Sequence, residues 1–150
     1  MAGLYYEEFK VGMEFKHPLT RTVTEMDNIL FCAMTHNPQP LHLDEEFSKK
    51  TEYGQRIVNS LFTLGLVVGV SVADTTLGTT LGNLGMTDIR FKNPVFHGDT
   101  IHVVTRIKDM RESKSRPKDG IVTFEHAGYN QHDKEICYLV RTALMKKRTA

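Results

Sequence analysis

Apolar residues first recur at a helical interval near residue 26. Thr24 stands three residues before Asp27, the spacing of a capping box. Met26, Ile29, Leu30 and Ala33 follow at i, i+3, i+4 and i+7, one apolar face of a helix. Pro38 and Pro40 require that helix to stop near Thr35. A short polar helix is expected from Asp44 to Lys50, ending before Gly54. From Ser60 to Ala73 the chain is apolar on nearly every side, and the length of the run favours a helix over a buried strand. A helix of that kind has to be wrapped by other structure. Gly65 and Gly69, four apart, fall on one of its faces and permit close backbone approach.

The period changes in the second half. Gly78, Gly82 and Gly85 read as turns, after which apolar and polar residues alternate. Ile101, Val103, Thr105 and Ile107 share one face of a strand, and His102, Val104, Arg106 and Lys108 the other. Two further β-rich stretches run from Ile121 to Asn130 and from Ile136 to Met145, joined by the turn 131–134; the polar loop 112–120 precedes the first of them. Helices followed by an antiparallel meander form an α+β pattern, with one buried helix for the sheet to wrap. No segment is rich enough in Pro, Gly or Ser to mark a linker, so residues 1–150 read as one domain.

Composition narrows the function classes. The 150 residues are 40% hydrophobic and 25% charged with a formal net charge of +1, which argues against disorder and against nucleic acid or an acidic membrane as partner. The apolar run Leu61 to Ala73 is too short to span a bilayer. The opening MAGLYYEEFKVG has early acids and no apolar core, so no signal peptide is expected. Cys32 and Cys137 each lie in an apolar stretch without a metal or redox spacing and read as small buried hydrophobes. The cytoplasm is the expected compartment.

The stretch richest in chemistry is Thr35-His36-Asn37-Pro38-Gln39-Pro40-Leu41-His42-Leu43-Asp44. Two prolines stiffen it as a loop between helices, and an imidazole suits proton transfer near neutrality. Solvated histidines on a capped loop are the alternative. His36, His42 and Asp44 match no zinc spacing, so no metal site is expected. The glycine-rich turns lack the phosphate-binding patterns.

The run NPQPLHLDEEF resembles the signature of the MaoC-like and (R)-specific enoyl-CoA hydratases, which reads G-D-x-N-P-Φ-H-x-D with Φ hydrophobic. Gln55-Arg56-Ile57-Val58-Asn59-Ser60-Leu61 resembles that family's R-I-V/A-x-G-Φ segment, which opens the central helix. Residues 90–100, RFKNPVFHGDT, resemble its R-F-x-x-P-V-Φ-x-G-D-T strand entry. The three matches share order and spacing and cover nearly the whole chain. The resemblance implies a hot-dog fold, a long antiparallel sheet wrapped around the central helix, and a homodimer formed through that sheet. It also implies an acid/base pair that adds water across the C2–C3 double bond of an enoyl-CoA thioester, and a helix-start N–H that polarises the thioester carbonyl. No cofactor is implied, since coenzyme A belongs to the substrate.

Residue by residue, the resemblance places His42 on the signature histidine and Ser60 where a glycine N–H forms the oxyanion hole. Asn37 falls where the family has its catalytic aspartate, and Gln39 where it has asparagine. An amide has no useful basicity, so either His42 carries proton transfer alone or a nearby carboxylate substitutes; the expectation is His42 alone, with Asn37 orienting. Similar Asn-containing variants belong to branches acting on branched or carboxylated C4–C5 thioesters, so mesaconyl- and itaconyl-type substrates fit. Arg56 is a candidate either for a structural ion pair or for a substrate carboxylate, Lys114 and Arg116 for coenzyme A phosphates or plain solvation, and Gln39 for a further substrate contact. Two other functions share this architecture: an acyl-CoA thioesterase, and a non-catalytic acyl-CoA-binding domain.

Overall fold

A computed structural model describes residues 3–148. The chain runs through a 3-10 turn (Tyr6–Glu8), β1 (Glu14–Lys16), β2 (Arg21–Thr22), α1 (Glu25–Met34), α2 (Pro40–Leu43), α3 (Glu45–Ser48), α4 (Ser60–Thr75), β3 (Thr80–Arg90), β4 (Thr100–Glu112), β5 (Asp119–Tyr129) and β6 (Glu135–Lys146). All strand pairs are antiparallel, in the order β1-β4-β5-β6-β3, with β2 also on β4. The concave face of this sheet packs on α4. Ile101, Val103 and Ile107 of β4 are buried as their alternation predicts.

Helix α4 sits deepest where the sheet lets it approach. Val67 and Val70 are buried among Ile101, Val103, Ile136 and Leu139. Gly128 of β5 makes room, because a Cβ there would lie 2.5 Å from Cγ2 of Val67. A second cluster, Phe9, Ile107, Val122, Phe124, Ala143 and Met145, fills the other end of the sheet.

Three expectations need correction. Gly82 and Gly85 do not form turns but lie within β3, where the register with β6 shifts at Thr80/Gly82 and Asn83/Gly85. Glycine is the residue that tolerates such irregularities in a strand. The apolar face of α1 is turned outward, with Met26 74% and Leu30 52% exposed while Asn28 is 0%; Asn28 can be buried because its amide is fully hydrogen-bonded, as described below. His42 stands not in a loop but on the one-turn helix α2, because Pro40 occupies its first position and has no N–H to waste there.

Between the two apolar clusters a polar chain crosses the sheet. Arg141 Nε donates to His126 Nε2 at 3.2 Å, so the His126 proton sits on Nδ1 and is donated to Thr105 Oγ1 at 2.8 Å. The Thr105 hydroxyl then donates to His17 Nε2, and His17 Nδ1 to Asp74 of α4, both at 2.8 Å. Burial, reinforced by the Arg141 charge, pushes His126 down from 6.5 to about 3. His126 therefore stays neutral in the fold and takes up its proton only on unfolding.

Two measurements check this packing. Gly128→Ala should cost about 1–3 kcal/mol in urea unfolding, because Val67 is stiff and buried. The contribution of neutral His126 is complete above pH 6.5 and falls away as pH drops towards 3, by at most about 1.4 kcal/mol per pH unit. Unfolding free energies between pH 7.5 and 4 should show that decline, and His126→Asn should flatten it.

Candidate active site

The segment entering α4 is held from three sides. Ile57 bridges Phe96, its N–H donates to the Leu41 carbonyl of α2 at 3.2 Å, and the Val58 N–H donates to Val95 at 2.8 Å. Asn59 then caps α4, its side chain accepting the Leu61 N–H at 3.0 Å and its carbonyl the Thr63 N–H at 3.2 Å. The Ser60 N–H has no acceptor among the described residues. It stands at the positive end of a 16-residue helix, where an unsatisfied donor suits a developing negative charge.

His42 is tied to that segment by its ring. Its Nδ1 lies 2.9 Å from the Ile57 carbonyl oxygen. A carbonyl can only accept, so Nδ1 carries the proton and Nε2 of the neutral ring keeps its lone pair. The half-buried imidazole is thus tied to Ile57, the residue three before Ser60, with Nε2 uncommitted among the described residues.

The other expected residues are less closely gathered. Asn37 is half-buried and its Oδ1 accepts the Gln39 N–H at 3.0 Å, an Asx turn that leaves the amide nitrogen uncommitted among the described residues. Asn37 lines a shallow depression of about 350 Å³ with Cys32, Pro38 and Leu43, whereas Ser60 lines a cleft of about 200 Å³ with Tyr53, Thr63, Phe91 and Asn93. Gln39 is exposed at the start of α2 and makes no capping bond with its side chain.

Of the two readings of Arg56 the structure favours the structural one, and Lys114 and Arg116 lie apart from His42. Arg56 is only 13% exposed and donates to Glu45 and Glu25, each at 2.8 Å, so its charge joins α1 and α3 instead of facing a substrate carboxylate. Both carboxylates hold its guanidinium firmly in the charged form. Lys114 and Arg116 lie beyond Glu112, at the opposite end of β4 from Thr100, and among the described residues no hydrogen bond or ion pair joins them to the His42 segment. Arg116 is paired with Asp119 at 2.6 Å. Within one chain neither belongs to the His42 site.

Two polar residues escaped the sequence reading. Asn28 places Nδ2 at 3.1 Å from the Ile57 carbonyl, 3.3 Å from that of His42 and 3.0 Å from His97 Nε2, while its Oδ1 accepts the Asn59 N–H at 2.9 Å. His97 is half-buried; burial and the neighbouring Arg56 charge lower its pKa. A polar residue at an inward position of α1 was the only available signal for Asn28, and apolar periodicity hides it. Among the described residues no three His, Cys, Asp or Glu side chains converge as a metal cage requires. Asp44 is used to cap α3 through the Phe47 N–H at 2.9 Å.

This architecture is a hot-dog fold. A Mycobacterium tuberculosis protein described as having a double hot-dog fold superposes with a TM-score of 0.87 at 18% identity, over 97% of this chain and 45% of that one. Residues 8–130 match the family model described as a MaoC like domain, and the chain belongs to that family. It is 28% identical over 146 residues to the beta-methylmalyl-CoA dehydratase of Chloroflexus aurantiacus, covering 97% of this chain and 41% of the relative. It is 29% identical over 147 residues to the mesaconyl-CoA hydratase of Cereibacter sphaeroides, covering 98% and 42%. The chain therefore spans about two-fifths of the length of these relatives.

The Arg56 assignment can be checked without any substrate. Arg56→Gln should lower stability by about 1 kcal/mol, and added salt should shrink the difference from wild type in thermal unfolding. Equal stability at low salt would contradict the clamp.

Proposed function

We propose that the protein adds water reversibly across the C2–C3 double bond of a short enoyl-CoA thioester, with branched or dicarboxylic acyl groups of the mesaconyl type as preferred substrates. The observation that carries this reading is the His42 Nδ1 bond to the Ile57 carbonyl, which fixes a basic imidazole nitrogen three residues before the unsatisfied Ser60 N–H. The names of the two relatives, a beta-methylmalyl-CoA dehydratase and a mesaconyl-CoA hydratase, support the substrate class.

In the hydration direction, Nε2 of His42 takes a proton from water as the water oxygen bonds to C3. The C2–C3 π electrons move toward the thioester, and the Ser60 N–H receives the negative charge that develops on its oxygen. The protonated imidazole then returns its proton to C2, so atoms and charge balance. Asn37 orients the water through its amide and holds no proton itself. Gln39 stands beside it as a further contact. No cofactor takes part.

The assembly we propose is a homodimer. Strand β3 is an eleven-residue edge that among the described residues pairs only with β6 and exposes Leu81, Leu84 and Ile89. An edge of that kind favours pairing with a second copy. The proposed compartment is the cytoplasm, where the free, buried Cys32 and Cys137 stay reduced. Among the described residues no helix is long and apolar enough to cross a membrane.

The test is a panel of crotonyl-, mesaconyl- and itaconyl-CoA assayed in both directions by mass spectrometry. A mass gain of one water identifies reaction and substrate together, whereas release of free thiol would identify a thioesterase instead. His42→Ala should lower kcat by about 10²- to 10⁴-fold with folding intact. Retained turnover would overturn the role given to His42. Asn37 favours one second reading, a domain that binds acyl-CoA without reacting; esters would then raise the melting temperature while none of the panel turns over.

A further inference from the structure

Helix α1 buries the wrong residue for a helix placed by hydrophobicity. Met26, Ile29, Leu30 and Met34 are exposed, while the amide of Asn28 is completely removed from solvent. Burying an amide is unfavourable unless its hydrogen bonds are replaced. For Asn28 they are replaced, and apart from the Cys32 thiol at 3.9 Å its partners belong to the candidate site. The amide nitrogen faces the carbonyls of His42 and Ile57 and the His97 ring, and the amide oxygen holds the N–H of Asn59.

The Ile57 carbonyl is the informative partner. That one oxygen accepts from His42 Nδ1 at 2.9 Å and faces Asn28 Nδ2 at 3.1 Å. The same Asn28 side chain fixes the His42 main chain through its carbonyl and the residue preceding Ser60 through its N–H. We infer that Asn28 is a positioning residue for the reaction: it sets the separation and orientation of the His42 ring relative to the start of α4, an inference that rests on the roles proposed above for His42 and Ser60. It touches no reacting atom. It acts by holding the proton acceptor against the helix whose first N–H receives the charge, a geometry in which displacements near 1 Å are costly.

Asparagine suits this position chemically. Aspartate has the same size and can still accept the Asn59 N–H, but it sets a carboxylate against the two carbonyl oxygens that the amide nitrogen now faces. Leucine keeps the volume and removes every hydrogen bond. Neither change removes the imidazole or a side chain that lines the cleft beside Ser60.

The experiment compares Asn28→Leu and Asn28→Asp with wild type, each alone and combined with His42→Ala. Folding is checked first by circular dichroism and thermal unfolding; if the leucine variant does not fold, the aspartate variant carries the same readouts. Kinetics use the enoyl-CoA ester turned over fastest in the panel, and binding uses the unreactive saturated ester butyryl-CoA. The expected result is a fall in kcat of about 100-fold, with KM and the butyryl-CoA Kd within about threefold of wild type. In the His42→Ala background the same substitution should cost no more than about threefold, because Asn28 acts through His42. A purely structural role predicts otherwise: full kcat per folded molecule, or the same loss in both backgrounds. Either of those results overturns the inference. If His42→Ala is slow while both Asn28 variants keep their kcat, the inference fails alone. If His42→Ala itself keeps wild-type kcat, the proposed function fails and takes the inference with it.

Discussion

The site depends on one carbonyl oxygen, that of Ile57. It accepts the His42 ring proton, lies within hydrogen-bond distance of Asn28, and belongs to the short extended segment that becomes α4. A carbonyl cannot donate, so its contact with Nδ1 selects one tautomer and leaves Nε2 with a free lone pair. The same contact links imidazole and helix start through only three residues of chain. Little freedom remains between the two groups, and restricted freedom of this kind is what general-base chemistry beside an oxyanion donor requires.

The rest of the fold keeps that segment still. Gly128 lets α4 seat against β5, Val95 and Phe96 hold residues 57 and 58, and Asn59 satisfies two of the donors at the start of α4. The Arg56 clamp ties α1 to α3 on either side of α2. Polar groups carry much of this alignment, and a hydrophobic core alone would not specify it. The Arg141–His126–Thr105–His17–Asp74 chain does the same for α4, anchoring its C-terminal turn across three strands of the sheet.

Legibility in the sequence followed the kind of force involved. The all-apolar run of α4 and the alternation of Ile101, Val103 and Ile107 were readable, because burial writes itself as periodicity. Strand β3 was not, since Gly82 and Gly85 interrupt it at bulges and mimic turns. β1 and β2 are too short to show a period. Helix α1 was readable in extent but not in orientation, because its buried side carries Asn28, whose hydrogen bonds leave no periodic apolar trace, together with Cys32, while Met26 and Leu30 face outward. His42 and Ser60 were legible through the resemblance to a motif. Their link through Ile57, and the engagement of Arg56 by Glu25 and Glu45, join residues far apart in sequence, which no local spacing encodes.

The central claim is that the Ile57 carbonyl holds His42 as the Nδ1–H tautomer with a free Nε2. Long-range ¹H–¹⁵N NMR of the imidazole, assigned by comparison with His42→Ala, reads that state directly. The account predicts a protonated-type nitrogen signal at Nδ1 and an acceptor-type signal at Nε2 in the neutral ring. A neutral ring protonated at Nε2, or one exchanging evenly between tautomers, contradicts it.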